Sequence, residues 1–175
     1  MDLAAPAPDF SLPGVDGKTY TLDSFKDAKV LVIVFSCNHC PYVKAYEGRM
    51  IAIQEDYQAK GVRLAVINSN DADSYPEDRF EKMTERSREL GFNFPYLRDD
   101  SQKTARAYGA THTPHLFVFD GERKLAYTGK IDDDWQDATA VKQRYLQDAL
   151  EDILAGKPPR LPRTHAIGCT IKWKR

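Results

Sequence analysis

In the run KVLVIVF, residues 29–35, six apolar residues follow Lys29 in succession with no polar one among them to mark a face toward water. A strand with one wet face alternates apolar and polar side chains. A short, unbroken, β-branched run needs cover on both faces. Helices packed above and below a sheet provide that cover, so this stretch commits the chain to α/β layering.

The flanking segments extend the pattern. PDFSLPGVDGKTYTL places two β-prone pieces, Phe10 to Leu12 and Thr19 to Leu22, around a turn at Gly14 to Gly17, which predicts an N-terminal hairpin. After Cys40 the period changes: Val43, Tyr46, Met50, Ile53 and Tyr57 recur at steps of three or four, one face of a helix that Gly61 ends. VRLAVINSN reads as the next buried strand. Ser74, with Glu77 three residues on, forms a capping box for a helix lined inside by Phe80, Met83, Ser87 and Leu90. FPYL is a short extended piece, SQKTARAY a short helix, and PHLFVFD and KLAYTGKI a hairpin turned at Asp120-Gly121. A last helix is expected to carry Ala138, Val141, Tyr145, Ala149 and Ile153 on one face. This order predicts a three-layer α/β/α sandwich with an N-terminal β-hairpin and a mixed central sheet over residues 1–156. Residues 157–175 hold six Lys or Arg, three Pro and no Asp or Glu. They read as a basic C-terminal tail packing on the domain, with Ile171 and Trp173 as anchors.

A chain of 175 residues suits one such domain. Its 26 acidic and 25 basic residues nearly cancel, so no overall field draws it to nucleic acid or to anionic lipid. Its apolar runs fall far short of the roughly 20 residues that cross a bilayer. Neither a nucleic acid nor a membrane is expected as partner. MDLAAPAPDF lacks the basic start and apolar stretch of a signal peptide, and three cysteines are too few for a disulfide framework. A cytoplasmic location is the expectation.

FSCNHCPYV, residues 35–43, concentrates the chemistry. Cys37 falls where the buried strand gives way to a helix, whose unpaired N–H groups and partial positive charge favour a thiolate. The thiolate is the attacking species in disulfide exchange. Cys40, one turn on, is placed to resolve the mixed disulfide. Pro41 lacks an N–H, which a first helical turn tolerates. His39, if protonated beside the pair, favours the Cys37 thiolate and makes the couple more oxidising. A zinc half-site is the alternative, with His39, His165 or Cys169 completing Cys37 and Cys40, but a second close cysteine pair is missing. A peroxidase needs Pro-x-x-x-Thr-x-x before its cysteine. Val30 and Val34 occupy those places before Cys37, and Ile33 and Cys37 before Cys40, so neither cysteine fits.

Downstream, YGATHTPHLFVFD sets Thr113-Pro114 at the entry to a strand, a candidate cis peptide whose Thr113 backbone offers an edge to an extended substrate. His112 and His115 flank it and read as rim residues. DDDW at 132–135 reads as helix caps rather than a metal site. Cys169 is either a spare thiol in the tail or a third thiol that folds back onto the dithiol.

FSCNHCPYV after an apolar strand, with YGATHTPHLFVF downstream, resembles the thioredoxin superfamily. APAPDFSLPGVDGKTYTLDSFKD resembles its branch of alkyl hydroperoxide reductases and thiol-specific antioxidants. CNHCPYVKAYEGRM with GCTIKWK is similar to a peroxiredoxin-like bacterial group within it. The resemblance implies a nucleophilic thiol at Cys37, a partner at Cys40 and a cis proline at Pro114. Ser36 replaces the Trp, and Asn38-His39 the Gly-Pro, of thioredoxin proper. The function expected is a thiol–disulfide oxidoreductase acting on a disulfide-bearing protein or small-thiol substrate, with an electron donor the sequence does not name. No cofactor and no metal is implied. A thiol-dependent peroxidase and a non-catalytic redox-sensing or zinc-stabilised binding module are the alternatives.

Overall fold

The computed structural model describes residues 1–175. In chain order it has β1 (Ser11–Pro13), β2 (Thr19–Thr21), β3 (Val30–Ser36), α1 (Pro41–Tyr57), β4 (Val62–Asn68), α2 (Phe80–Leu90) and β5 (Tyr96–Arg98). There follow α3 (Lys103–Tyr108), β6 (His112–Thr113), β7 (His115–Phe119), β8 (Leu125–Gly129), α4 (Tyr145–Leu154) and β9 (Cys169–Thr170). The central sheet runs β5-β4-β3-β7-β8, with β3, β4 and β5 parallel and β7 and β8 antiparallel additions. β1 and β2 form the expected hairpin.

Strand β3 shows why its sequence lacks a polar face. Val30, Val32 and Val34 pack with Tyr46, Met50, Ile53 and Tyr57 of α1 and Leu146, Ala149 and Leu150 of α4. Leu31, Ile33 and Phe35 point the other way, into Ala105 and Tyr108 of α3 and Phe10, Leu12 and Phe25 of the N-terminal region. Alternation along one strand feeds two cores, which makes the sandwich three-layered. Two helix starts differ from the sequence reading. α2 begins at Phe80, after a turn at Pro76–Asp78, because the Asp78 carboxylate is drawn inward by the Asn38 backbone and the Asn68 and Asn70 side chains. The Ser74–Glu77 capping box therefore does not form, and Phe80 and Leu90 stay exposed while Met83 is buried. α4 begins at Tyr145 rather than Ala138. Asp133 accepts a hydrogen bond from Lys142 N, and its own N–H donates to Gln143 O, which keeps residues 142–143 out of the helix.

The DDDW acids are not helix caps. Asp132 is buried and takes Arg49 Nη1 at 2.8 Å and Tyr46 OH at 2.7 Å, while Arg49 also donates to the carbonyls of Asp134 and Trp135. One arginine thus ties α1 to the loop before α4. No helix is long and apolar enough to cross a membrane.

Candidate active site

Cys37 and Cys40 lie together at the C-terminal end of β3, where parallel strands of an open α/β sheet present their loops. Both are buried, at 1% and 0% exposure. Helix α1 starts at Pro41, so Cys40 is its N-cap and Cys37 sits in the turn before it. This moves the helix-terminus argument from Cys37, where the sequence reading put it, to Cys40. The neighbouring Cys37 and Cys169 thiols and the backbone at Val43 push the Cys40 pKa down to about 4, against the cost of burial. Cys37 moves the opposite way: its hydrogen bond to Cys40, its burial and the nearby Asp78 charge all disfavour its thiolate.

The predicted Thr113–Pro114 cis peptide is present. Thr113 faces the pair with both its polar atoms, Oγ1 at 3.5 Å from Cys37 Sγ and its carbonyl at 3.5 Å from Cys40 Sγ. Its free edge, expected to receive an extended substrate, is taken by the chain itself: β9 pairs antiparallel with β6, with Thr113 opposite Cys169 and His112 opposite Thr170. Cys169 Sγ reaches 2.7 Å from Cys40 Sγ. The anchors differ from each other: Ile171 is buried in the core, whereas Trp173 stays exposed, its ring covered by the Arg106 guanidinium at 4.8 Å.

Asn38 and His39 are pinned from the α2 side. Asn38 N donates to Asp78 Oδ1 at 2.7 Å, its side-chain amide donates to the Glu77 carbonyl, and its oxygen accepts from Tyr96 OH. His39 stacks on Tyr75 with centroids 5.5 Å apart, and its Nδ1 lies 2.7 Å from Asp78 Oδ2 without hydrogen-bond alignment. Asp78, Asn68, Asn70 and Tyr96 did not stand out in the sequence. The available signal was position alone, since Asn68 ends and Asn70 follows a buried parallel strand. Cys37, His39 and Asp78 offer ligand atoms within 4.8 Å of one another. The two Asp78 oxygens already accept from Asn38, Asn68 and Asn70, and the four-ligand zinc set built on His165 has that residue exposed on the tail.

His115 is partly exposed beside the proline, as a rim residue would be. Its Nδ1 accepts from Thr111 N at 3.2 Å, and burial, with the neighbouring positive groups, pushes its pKa down to about 4.

No curated protein matches the chain. Among solved structures, an uncharacterized conserved protein from Geobacillus kaustophilus is 41% identical, with TM-score 0.94, covering 99% of this chain and 93% of that one. A hypothetical protein from Sinorhizobium meliloti 1021 is 38% identical, with TM-score 0.94 and coverage of 99% and 96%. A Chlorobium tepidum protein provisionally assigned as the thiol:disulfide interchange protein DsbE is 22% identical, with TM-score 0.68 and coverage of 89% and 97%, and shares the fold. The AhpC/TSA family model matches residues 3–128, and with a β3–α1 junction that carries a paired thiol the chain belongs to the AhpC/TSA family of thioredoxin-like redox proteins.

Proposed function

We propose that the protein is a thiol–disulfide oxidoreductase that cycles Cys37 and Cys40 between dithiol and disulfide. The observation that carries this reading is the pair itself: two adjacent buried thiols at the N-terminus of α1, set against the polar atoms of Thr113. A thiolate attacks one sulfur of a substrate disulfide, and the substrate's other sulfur departs with the electron pair. The second cysteine then attacks the mixed disulfide, so the chain gains a disulfide as the substrate is reduced to two thiols. The substrate is a disulfide-bearing protein or a small disulfide. Asn38 and Pro41 shape the turn that holds the pair, and Thr113 and Pro114 its floor.

His39 tunes the couple through Asp78. Protonated, it offsets the buried carboxylate that disfavours the Cys37 thiolate. His39→Ala is expected to destabilise the reduced form and lower the reduction potential by roughly 10–30 mV, where 30 mV corresponds to about 1.4 kcal/mol. An unchanged potential would remove His39 from this role.

Titration against glutathione buffers, with thiol trapping and peptide mapping, tests the main reading alongside insulin reduction. A reversible two-electron transition with a Cys37–Cys40 bridge in the wild type, lost in Cys40→Ser, is the expected result. Failure to form any bridge at Cys37, with stoichiometric metal in the purified protein, overturns it in favour of a metal-stabilised module.

A further inference from the structure

The tail does more than cover the domain. Its last strand occupies the one free edge beside the dithiol, in the register of a docked exchange partner: Cys169 lies opposite Thr113, with its sulfur 2.7 Å from Cys40 Sγ. A bonded pair of sulfurs is about 2.05 Å apart, so a small side-chain movement closes the bond. The placement is built. Ile171 is buried in the core and its N–H donates to the Thr111 carbonyl at 3.0 Å. Lys172 N donates to Asn70 Oδ1 at 2.9 Å, and its carbonyl accepts from Asp71 N and Gln102 Nε2. Gly168 is required by the approach, since a Cβ there would stand 2.0 Å from the Thr113 carbonyl oxygen. Of the three thiols, Cys169 alone is partly exposed.

We propose that Cys169 is the third redox thiol of this centre, forming an exchangeable disulfide with Cys40 through which a low-molecular-weight thiol re-reduces the chain. The proposal rests on the thiol–disulfide reading above and names the class of its electron donor. The centre then has two disulfide states that share Cys40. In the first step the Cys169 thiolate attacks Cys40 Sγ of the Cys37–Cys40 disulfide; the Cys40–Cys169 bond forms, the Cys37–Cys40 bond breaks, and Cys37 leaves with the electron pair and takes up the proton Cys169 gave up. In the second, an external thiolate attacks Cys169 Sγ, the sulfur that solvent reaches, and Cys40 departs as a thiolate. A second external thiol cleaves the resulting mixed disulfide and frees Cys169. Two small thiols become one small disulfide, and the chain regains its three thiols. A protein donor that pairs its backbone with Thr113 meets an edge already filled by β9.

The test uses the full chain, with glutathione as the small thiol. Oxidised Cys37→Ser is expected to map as a Cys40–Cys169 disulfide. Oxidised wild type is expected to be reduced by glutathione at least ten-fold faster than oxidised Cys169→Ser. Gly168→Ala keeps all three thiols but pushes β9 away from Thr113, and is expected to show the same slowing. Reduction of Cys169→Ser at the wild-type rate, or Cys37→Ser yielding only intermolecular or glutathione adducts, overturns the proposal. Those results leave the main reading standing as long as the wild type still forms Cys37–Cys40. If neither Cys37–Cys40 nor Cys40–Cys169 forms, both fall.

Discussion

The fold lowers the pKa of two residues of opposite charge type, Cys40 and His115. The Cys40 pKa is lowered by the Cys37 and Cys169 thiols and the backbone at Val43, which the fold sets around the N-cap of α1. The ultraviolet absorbance of its thiolate is expected to titrate near pH 4 in the reduced protein and to vanish in Cys40→Ser; a single transition in the ordinary cysteine range near 8.5 would refute this. His115 behaves in the reverse sense. It is held neutral in the fold and protonates freely in the unfolded chain, so the unfolded state binds more protons below about pH 6.5. Stability is therefore expected to fall as pH drops from about 6.5 to 4, by at most about 3 kcal/mol from this group. His115→Asn should flatten that part of a denaturation-versus-pH curve, and an equally steep curve would assign the acid sensitivity elsewhere.

Elements are held together by a few buried polar ties as well as by the two apolar cores. Arg49 is the clearest, binding α1 to the loop before α4 through Asp132 and two carbonyls. Removing one partner of a buried pair leaves the other charge uncompensated. Arg49→Met is expected to cost about 3 kcal/mol by urea unfolding, and much less when Asp132→Asn is present in the same chain. Additive losses would show that the two do not act as a pair. The same loop explains why α4 starts late. Periodicity from Ala138 fits a helix, but the Asp133 bonds to residues 142–143 outweigh weak local propensity. α1, by contrast, follows its sequence stripe residue for residue, because Tyr46, Met50, Ile53 and Tyr57 pack with the valines of β3 and β4 and Val43 packs against the two cysteines.

For the whole molecule, the tail completes the sheet side of the site and closes the dithiol from solvent. Ile171→Ala removes its buried anchor and is expected to raise the alkylation rate of Cys40 several-fold while costing about 2–4 kcal/mol at most. An unchanged rate would mean that β9 is held without Ile171. The layered architecture and the closeness of Cys37 to Cys40 were legible in the sequence because both depend on local order: an unbroken apolar run, a three-or-four-residue period, two cysteines one turn apart. The long-range contacts were not. Asp78 reaching Asn38 leaves no mark in composition or spacing, and the approach of Cys169 to Cys40 across 129 residues of chain was only one of two readings the sequence left open. Linear sequence determined which segments must be buried and that two thiols stand one turn apart. Only the tertiary structure decided what surrounds each thiol, since reach depends on distances that chain order does not encode.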